Sequence, residues 1–234
     1  MSVARAATPV AAASGAGERL RIAEVFCSIQ GESTRVGLPT VFVRLTGCPL
    51  RCRWCDTEYA FTGGTLRDLR DVLDEVAGHG CRTVCVTGGE PLAQKACLPL
   101  LSALCDAGHD VSLETSGALD VTGVDPRVAR IVDLKAPGSG EAAKNRWENL
   151  PQLTASDEIK CVLADRADFD WAVDACRRHE LFGGPALGKP TLLFSPVQGE
   201  LDPALLAQWL LDEHIGARLQ LQLHKVLWGN ARGR

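Results

Sequence analysis

Three cysteines set close together carry the strongest chemical signal in this chain. They lie in Gly47-Cys48-Pro49-Leu50-Arg51-Cys52-Arg53-Trp54-Cys55-Asp56-Thr57, with the spacing C-x3-C-x2-C. Thiolates are soft ligands that suit iron–sulfur clusters or zinc. Their number separates the two chemistries. A structural zinc site takes four ligands, and an electron-transfer cluster takes four cysteines. Three thiolates from one short loop can wrap a corner of a cubane and leave one iron open to a ligand that is not protein. Zinc stands as the alternative, with a distant fourth ligand from Cys27, Cys81, Cys85 or a histidine, although no second C-x2-C accompanies it.

The elements that must hold this loop can be read around it. Residues 39–45 (PTVFVRL) are β-branched and aromatic and predict a strand, so the cysteines follow a strand's C-terminal end. Further strands are predicted over 20–27, 82–87, 110–114, 130–134, 158–163 and 191–194. Helical spacing predicts helices over 65–76, with Thr65 as N-cap, and over 93–107, with Pro99 marking a kink or a late start. Two more are predicted over 167–179 and 202–213. Strands alternating with helices imply an α/β fold with a parallel sheet, here an open partial βα barrel of about six βα units. Chemistry in such folds sits at the C-terminal strand ends. The cysteine loop, Gly88-Gly89-Glu90, Glu114-Thr115-Ser116, Asp133-Leu134-Lys135 and Ser195-Pro196 are therefore expected to converge on one face.

Composition narrows the function. The chain has 234 residues and 46% apolar content, enough for one domain over 18–234. A net charge of −4 argues against coating nucleic acid. No apolar run reaches the length of a membrane span. Residues 1–17, rich in Ala, Ser and Gly, read as a disordered extension without a secretory signal. The 10 cysteines are therefore taken as reduced thiols of a cytoplasmic protein, most of them small core residues, including Cys81, Cys85, Cys161 and Cys176.

The C-x3-C-x2-C loop after an early barrel strand, with an aromatic residue before its last cysteine, resembles the radical S-adenosylmethionine (SAM) superfamily. Thr87-Gly88-Gly89-Glu90-Pro91 is similar to that superfamily's glycine-rich strand end. The resemblance implies a 4Fe–4S cluster on Cys48, Cys52 and Cys55, with SAM on the open iron. A narrower likeness spans about residues 20–225. It rests on Ser28-Ile29-Gln30-Gly31-Glu32, Gly37-Leu38-Pro39, residues 42–48, Cys55-Asp56-Thr57, Ser195-Pro196-Val197 and Gln222-Leu223-His224-Lys225. These resemble the 7-carboxy-7-deazaguanine synthases of queuosine and deazapurine biosynthesis. That family converts 6-carboxy-5,6,7,8-tetrahydropterin with release of ammonia and regenerates SAM.

This resemblance assigns substrate contacts to Ile29, Gln30, Gly31, Glu32, Arg44, Thr87 and His224. It assigns SAM contacts to Trp54, Cys55, Asp56, Gly89, Glu114, Ser116, Asp133, Leu134, Lys135, Ser195 and Gln198, and Mg²⁺ to Thr57. It also implies a homodimer and a flavodoxin or ferredoxin as electron donor. Several residues keep a plainer reading. Arg44 also suits a strand-end ion pair, Glu114 to Ser116 a loop cap, and His224 a structural histidine. An activating enzyme for a glycyl radical protein is the alternative within the superfamily. Two departures stand out. Ser33 occupies a position where the family often has glycine, and the chain runs on past Lys225.

Overall fold

The computed structural model describes residues 18–229 and 231–233, so the extension expected over 1–17 lies outside the described residues. In chain order the elements are β1 (Arg19–Ile29), β2 (Pro39–Leu45), β3 (Thr65–Asp68), α1 (Leu69–Gly78), β4 (Thr83–Gly88), α2 (Cys97–Asp106), β5 (Asp110–Thr115) and β6 (Ala129–Lys135). Then follow β7 (Glu158–Leu163), α3 (Arg166–Arg178), β8 (Thr191–Pro196), α4 (Pro203–Asp212), β9 (Arg218–Leu219) and α5 (Leu223–Trp228). The strands form one nine-stranded sheet in the order β3-β1-β2-β4-β5-β6-β7-β8-β9. From β2 to β9 every pairing is parallel, whereas β1 runs antiparallel to both β2 and β3. This is the expected open α/β barrel, with an antiparallel edge added.

Burial explains the strand order. Val41, Phe42, Val43 and Leu45 of β2 and Val84, Cys85 and Val86 of β4 are all buried, the continuous pattern of strands covered on both faces. One cluster of side chains packs β1 to β5 against α1 and α2, and a second packs β6 to β8 against α3 and α4. Helix starts are set by side chains. The Asp165 carboxylate accepts from the Asp168 N–H at 2.9 Å, and Asp202 accepts from the Ala204 N–H at 2.9 Å with Pro203 at the first helical position.

Two expected helices begin later. Residues 65–68 are strand, not helix: their backbone pairs with Arg19–Ile22, and Leu66, which fitted the helical spacing, is 40% exposed. The buried stripe of α1 starts at Leu69 and continues through Val72 and Val76. Pro99 falls in the first turn of α2, so it marks the late start and not a kink.

The open barrel is bridged by the segment between β1 and β2. The Ser33 N–H donates to Gln220 Oε1 and Gln220 Nε2 donates back to the Ser33 carbonyl, both at 2.9 Å. Thr34 Oγ1 donates to Glu158 at 2.5 Å, and Arg35 pairs with Asp110 at 2.9 Å. Ser33 takes the left-handed conformation, with φ of 66°, which glycine adopts more readily. Its hydroxyl accepts from the Arg35 N–H at 3.0 Å.

Candidate active site

The cysteine loop leaves β2 through Gly47, whose φ of 93° suits a residue without Cβ. The Gly47 N–H donates to the Ala60 carbonyl at 2.8 Å, and its carbonyl accepts from Glu90 N–H at 2.7 Å. A Cβ on Gly89 would lie 2.4 Å from the Gly47 oxygen and 2.8 Å from Cys48 Cβ, so only glycine lets β4 approach the loop this closely. Glu90 is fully buried and accepts from Ser116 Oγ at 2.5 Å, Ser116 N–H at 2.7 Å and Thr115 Oγ1 at 2.9 Å. It ties the end of β4 to the end of β5. Arg53 grips Glu200 with two nitrogens at 2.9 and 2.7 Å, anchoring the far side of the loop.

Cys48, Cys52 and Cys55 are partly buried and line one cavity of about 180 Å³. Trp54, Gly88, Gly89, Ser116, Asp133, Lys135 and Gln198 border the same space. Burial pushes the Cys48 and Cys52 thiols above their ordinary range, so a bound cation is what would draw off their protons. A structural zinc takes four ligands, and no second C-x2-C stands in the chain to supply the fourth, whereas three thiolates suit a cubane that takes each on a different iron. The rest of the cavity suits a polar cofactor. Asp133 Oδ1 is buried without a partner, and the glycine pair leaves room beside the cysteines.

A second cavity of about 390 Å³ adjoins the first. Its size falls in the range of small-molecule sites. Glu32, Arg44, Asp56, Thr57, Thr87, Glu114 and Lys225 line both. Strand register creates this wall. Glu24, Arg44 and Thr87 are matched across β1, β2 and β4, and Asp133 is matched with Lys160 across β6 and β7. Arg44 Nε donates to Glu24 at 2.8 Å, and Tyr59 Oη donates to the same carboxylate at 2.7 Å. Burial and the Glu24 carboxylate hold the Tyr59 phenol up at about 12, so it stays neutral. Phe26 and Phe42 stack with centroids 5.1 Å apart. Gln30, 2% exposed, donates to Glu114 at 3.3 Å and accepts from the Glu32 N–H at 3.1 Å, while Thr87 Oγ1 donates to Glu114 at 3.0 Å.

A buried chain of charge links the two cavities. Lys160 Nζ lies 2.6 Å from Glu32 and 3.5 Å from Asp133, and Lys135 Nζ lies 2.9 Å from Asp133. Gln222 Nε2 donates to the other Glu32 oxygen at 2.6 Å. Burial pulls the Glu32 carboxyl upward, but Lys160 and Gln222 outweigh it and hold it below the usual carboxylate range. Lys225 pairs with Asp56 at 3.0 Å and overcomes the burial of that carboxyl in the same way.

The residues named from the sequence mostly meet here. Ile29, Gln30, Gly31 and His224 line the larger cavity, with His224 against Gly31: a Cβ on that glycine would strike its ring. Two do not line either space. Leu134 turns into the core, and Ser195 is buried with an unpartnered hydroxyl. Sequence reasoning missed Glu24, Tyr59, Lys160 and Arg232. A signal existed for Lys160: Glu158 and Lys160 alternate with apolar Ile159, Cys161 and Leu163, so polar groups occupy the inward face of β7. The tail beyond α5 also enters the larger cavity, where Arg232 lies over the Tyr59 ring at 4.1 Å.

A thiolate triad at the end of an early parallel strand, opening on a polar cavity, defines a radical SAM enzyme. The family model for the radical SAM superfamily matches residues 42–179, and the chain belongs to that superfamily. Such enzymes carry a 4Fe–4S cluster and use SAM.

Curated relatives narrow this further. The chain is 45% identical to the 7-carboxy-7-deazaguanine synthase of Chlorobaculum tepidum over 218 residues, covering 92% of this chain and 97% of that protein. It is 40% identical to the synthase of Koribacter versatilis over 225 residues, covering 89% and 97%. The crystal structure of QueE from Escherichia coli superposes with a TM-score of 0.70 at 25% identity, covering 88% of this chain and 95% of that one. The chain belongs to the 7-carboxy-7-deazaguanine synthase family, a family of radical SAM enzymes of deazapurine biosynthesis.

Proposed function

We propose that this enzyme converts 6-carboxy-5,6,7,8-tetrahydropterin to 7-carboxy-7-deazaguanine and ammonia, with SAM used catalytically. One observation carries the reading: the cavity of the cysteine triad and the larger cavity share a wall of seven residues. A substrate in the larger space therefore sits beside a cofactor in the smaller one. When bound, the cluster and SAM supply one-electron hydrogen abstraction.

The chain's own residues bind and orient. Cys48, Cys52 and Cys55 hold the cluster. Gly89, Ser116, Asp133, Lys135, Trp54 and Gln198 border SAM, with Ser116 held by Glu90, and Leu134 and Ser195 support the strand ends from behind. Arg44 is fixed through Nε by Glu24, and its terminal nitrogens, which make no hydrogen bond among the described residues, are offered to the substrate carboxylate. Gln30 and Thr87 fix Glu114, which lines both cavities and so can serve SAM, as the resemblance implies, and the pterin beside it, and Glu32 and His224 close around the pterin ring. Thr57 supplies a hard oxygen for Mg²⁺ at the junction of the two cavities. We further infer one domain over 18–234, a homodimer, a flavodoxin or ferredoxin as reductant and a cytoplasmic location. Among the described residues no helix is long and apolar enough to cross a membrane.

Calorimetric titration of the carboxypterin into anaerobic, SAM-loaded enzyme tests the contacts. Arg44→Lys loses a charge-assisted hydrogen bond of about 1.5–3 kcal/mol, so affinity falls about 10- to 100-fold, and omission of Mg²⁺ weakens it too. Affinity indifferent to both would refute these contacts.

A further inference from the structure

Cys27 and Cys81 stand outside the site described above, and their placement differs from that of the core cysteines. Cys97, Cys161 and Cys176 are buried in the apolar clusters, and Cys85 is buried on the face of β4 toward Ser112 and Glu114. Cys27, on β1, is exposed, and Cys81, in the turn before β4, is partly buried. Their sulfurs are 3.1 Å apart although the residues are 54 positions apart in sequence. A disulfide bond is about 2.05 Å long, so closing this pair asks for a sulfur approach of about 1 Å. That is within the reach of side-chain rotation and a small shift of the turn before β4 and of β1 beyond Ile22, where its pairing with β3 ends. No other pair of cysteine sulfurs among the described residues makes such a contact.

We propose that Cys27 and Cys81 form a redox site that closes reversibly to a disulfide by exchange with a low-molecular-weight disulfide such as oxidised glutathione. One cysteine, as thiolate, attacks a sulfur of that disulfide and expels one glutathione thiolate. The other cysteine then attacks the protein-bound sulfur of the mixed disulfide and expels the second. The two protein thiols give up two protons and two electrons, and one small disulfide becomes two thiols. Disulfides in reducing compartments are usually transient and regulatory. The position fits that use. Strand β1 continues from Cys27 into Ile29, Gln30 and Gly31 of the larger cavity, and β4 leads from Cys81 to Thr87 and Gly89. A bridge therefore links thiol redox state to two strands that carry the site. Desolvation and the neighbouring sulfur push the Cys27 thiol up to about 11, so little of it is thiolate at neutral pH and exchange is slow.

The test uses reconstituted holoenzyme held anaerobically for hours with oxidised glutathione, then blocked with iodoacetamide and digested with trypsin. Each cysteine falls alone in its peptide, 22–35 for Cys27 and 71–82 for Cys81. The expected result is one cross-linked species joining these peptides, reversed by dithiothreitol, with the visible absorbance of the cluster retained. Cys27→Ser and Cys81→Ser should each abolish the cross-link and leave cluster content and turnover under reducing conditions unchanged. Both peptides recovered singly alkylated, or glutathione adducts without a cross-link, would overturn the proposal. So would a cross-link that survives either substitution with a different partner.

Discussion

Lys160→Met tests the buried charge chain that joins the two cavities. Lys160 Nζ sits 2.6 Å from Glu32 and 3.5 Å from Asp133, and none of the three side chains is more than 16% exposed. Burial opposes the charge on Lys160, but Glu32 and Asp133 outweigh it and hold the ammonium well above its ordinary range, so it stays protonated. Methionine keeps much of the volume and removes the charge. Glu32 then keeps only Gln222, and Asp133 only Lys135. Truncating one partner of a buried pair costs about 3–5 kcal/mol, because the other charge is left uncompensated. Each kcal/mol shifts Tm by about 2–4 °C in a chain of this size, so Tm should fall by about 6–20 °C. Anaerobic thermal unfolding followed by circular dichroism reads this directly. Glu32→Gln in the same background removes the stranded carboxylate and should recover about 1–3 kcal/mol. A loss of under about 1 kcal/mol, or simple additivity in the double variant, would refute the network as described.

Gly89→Ala places a Cβ 2.4 Å from the Gly47 carbonyl oxygen, so the cysteine loop must retreat by about half an ångström or more. Iron content after reconstitution should fall and turnover drop about 10- to 100-fold, whereas Gly78→Ala, where a Cβ meets nothing, should leave both unchanged. Ser33→Gly exchanges left-handed strain against the hydroxyl contact to Arg35 and should stay within about 1 kcal/mol of the parent by urea unfolding. Ser33→Val should lose clearly more, since a β-branched residue resists that conformation. Arg232→Ala removes an exposed cation over Tyr59, worth about 0.5–1 kcal/mol, so Tm should fall by no more than about 4 °C with cluster content unchanged. Asp157, which Arg130 holds below the usual range against the pull of burial, and Glu32 both bind protons less readily folded than unfolded. Their stabilisation is complete above the unfolded value near about 4 and is lost as pH falls through the folded values, so Tm should decline on acidification below about pH 4.

Much of the site was legible because its parts sit at the ends of strands that declare themselves. β2 and β7 match the predicted spans residue for residue, since β2 is rich in β-branched and aromatic residues and β7 alternates charged with apolar ones. The cysteine spacing needed no structure. What was hidden depends on contacts remote in sequence. β3 exists because its backbone pairs with β1, and nothing in Thr65-Leu66-Arg67-Asp68 says so. β9 has two residues and α5 six with no buried side chain, too short to show a period. Glu24 became visible only through its register with Arg44. Gln30, assigned to the substrate from the sequence, has both ends of its amide engaged within the protein. Cys81, read as core, does pack partly buried against the core, and its sulfur also meets Cys27, which its sequence position does not announce.

The central claim is best tested by one anaerobic assay. Enzyme reconstituted with iron and sulfide is reduced and given SAM, Mg²⁺ and 6-carboxytetrahydropterin, and products are followed by mass and absorbance. The account predicts 7-carboxy-7-deazaguanine and ammonia in equal amounts, without net consumption of SAM and with none formed by Cys52→Ala. Release of 5′-deoxyadenosine in proportion to turnover, or no deazapurine from fully loaded enzyme, would contradict it.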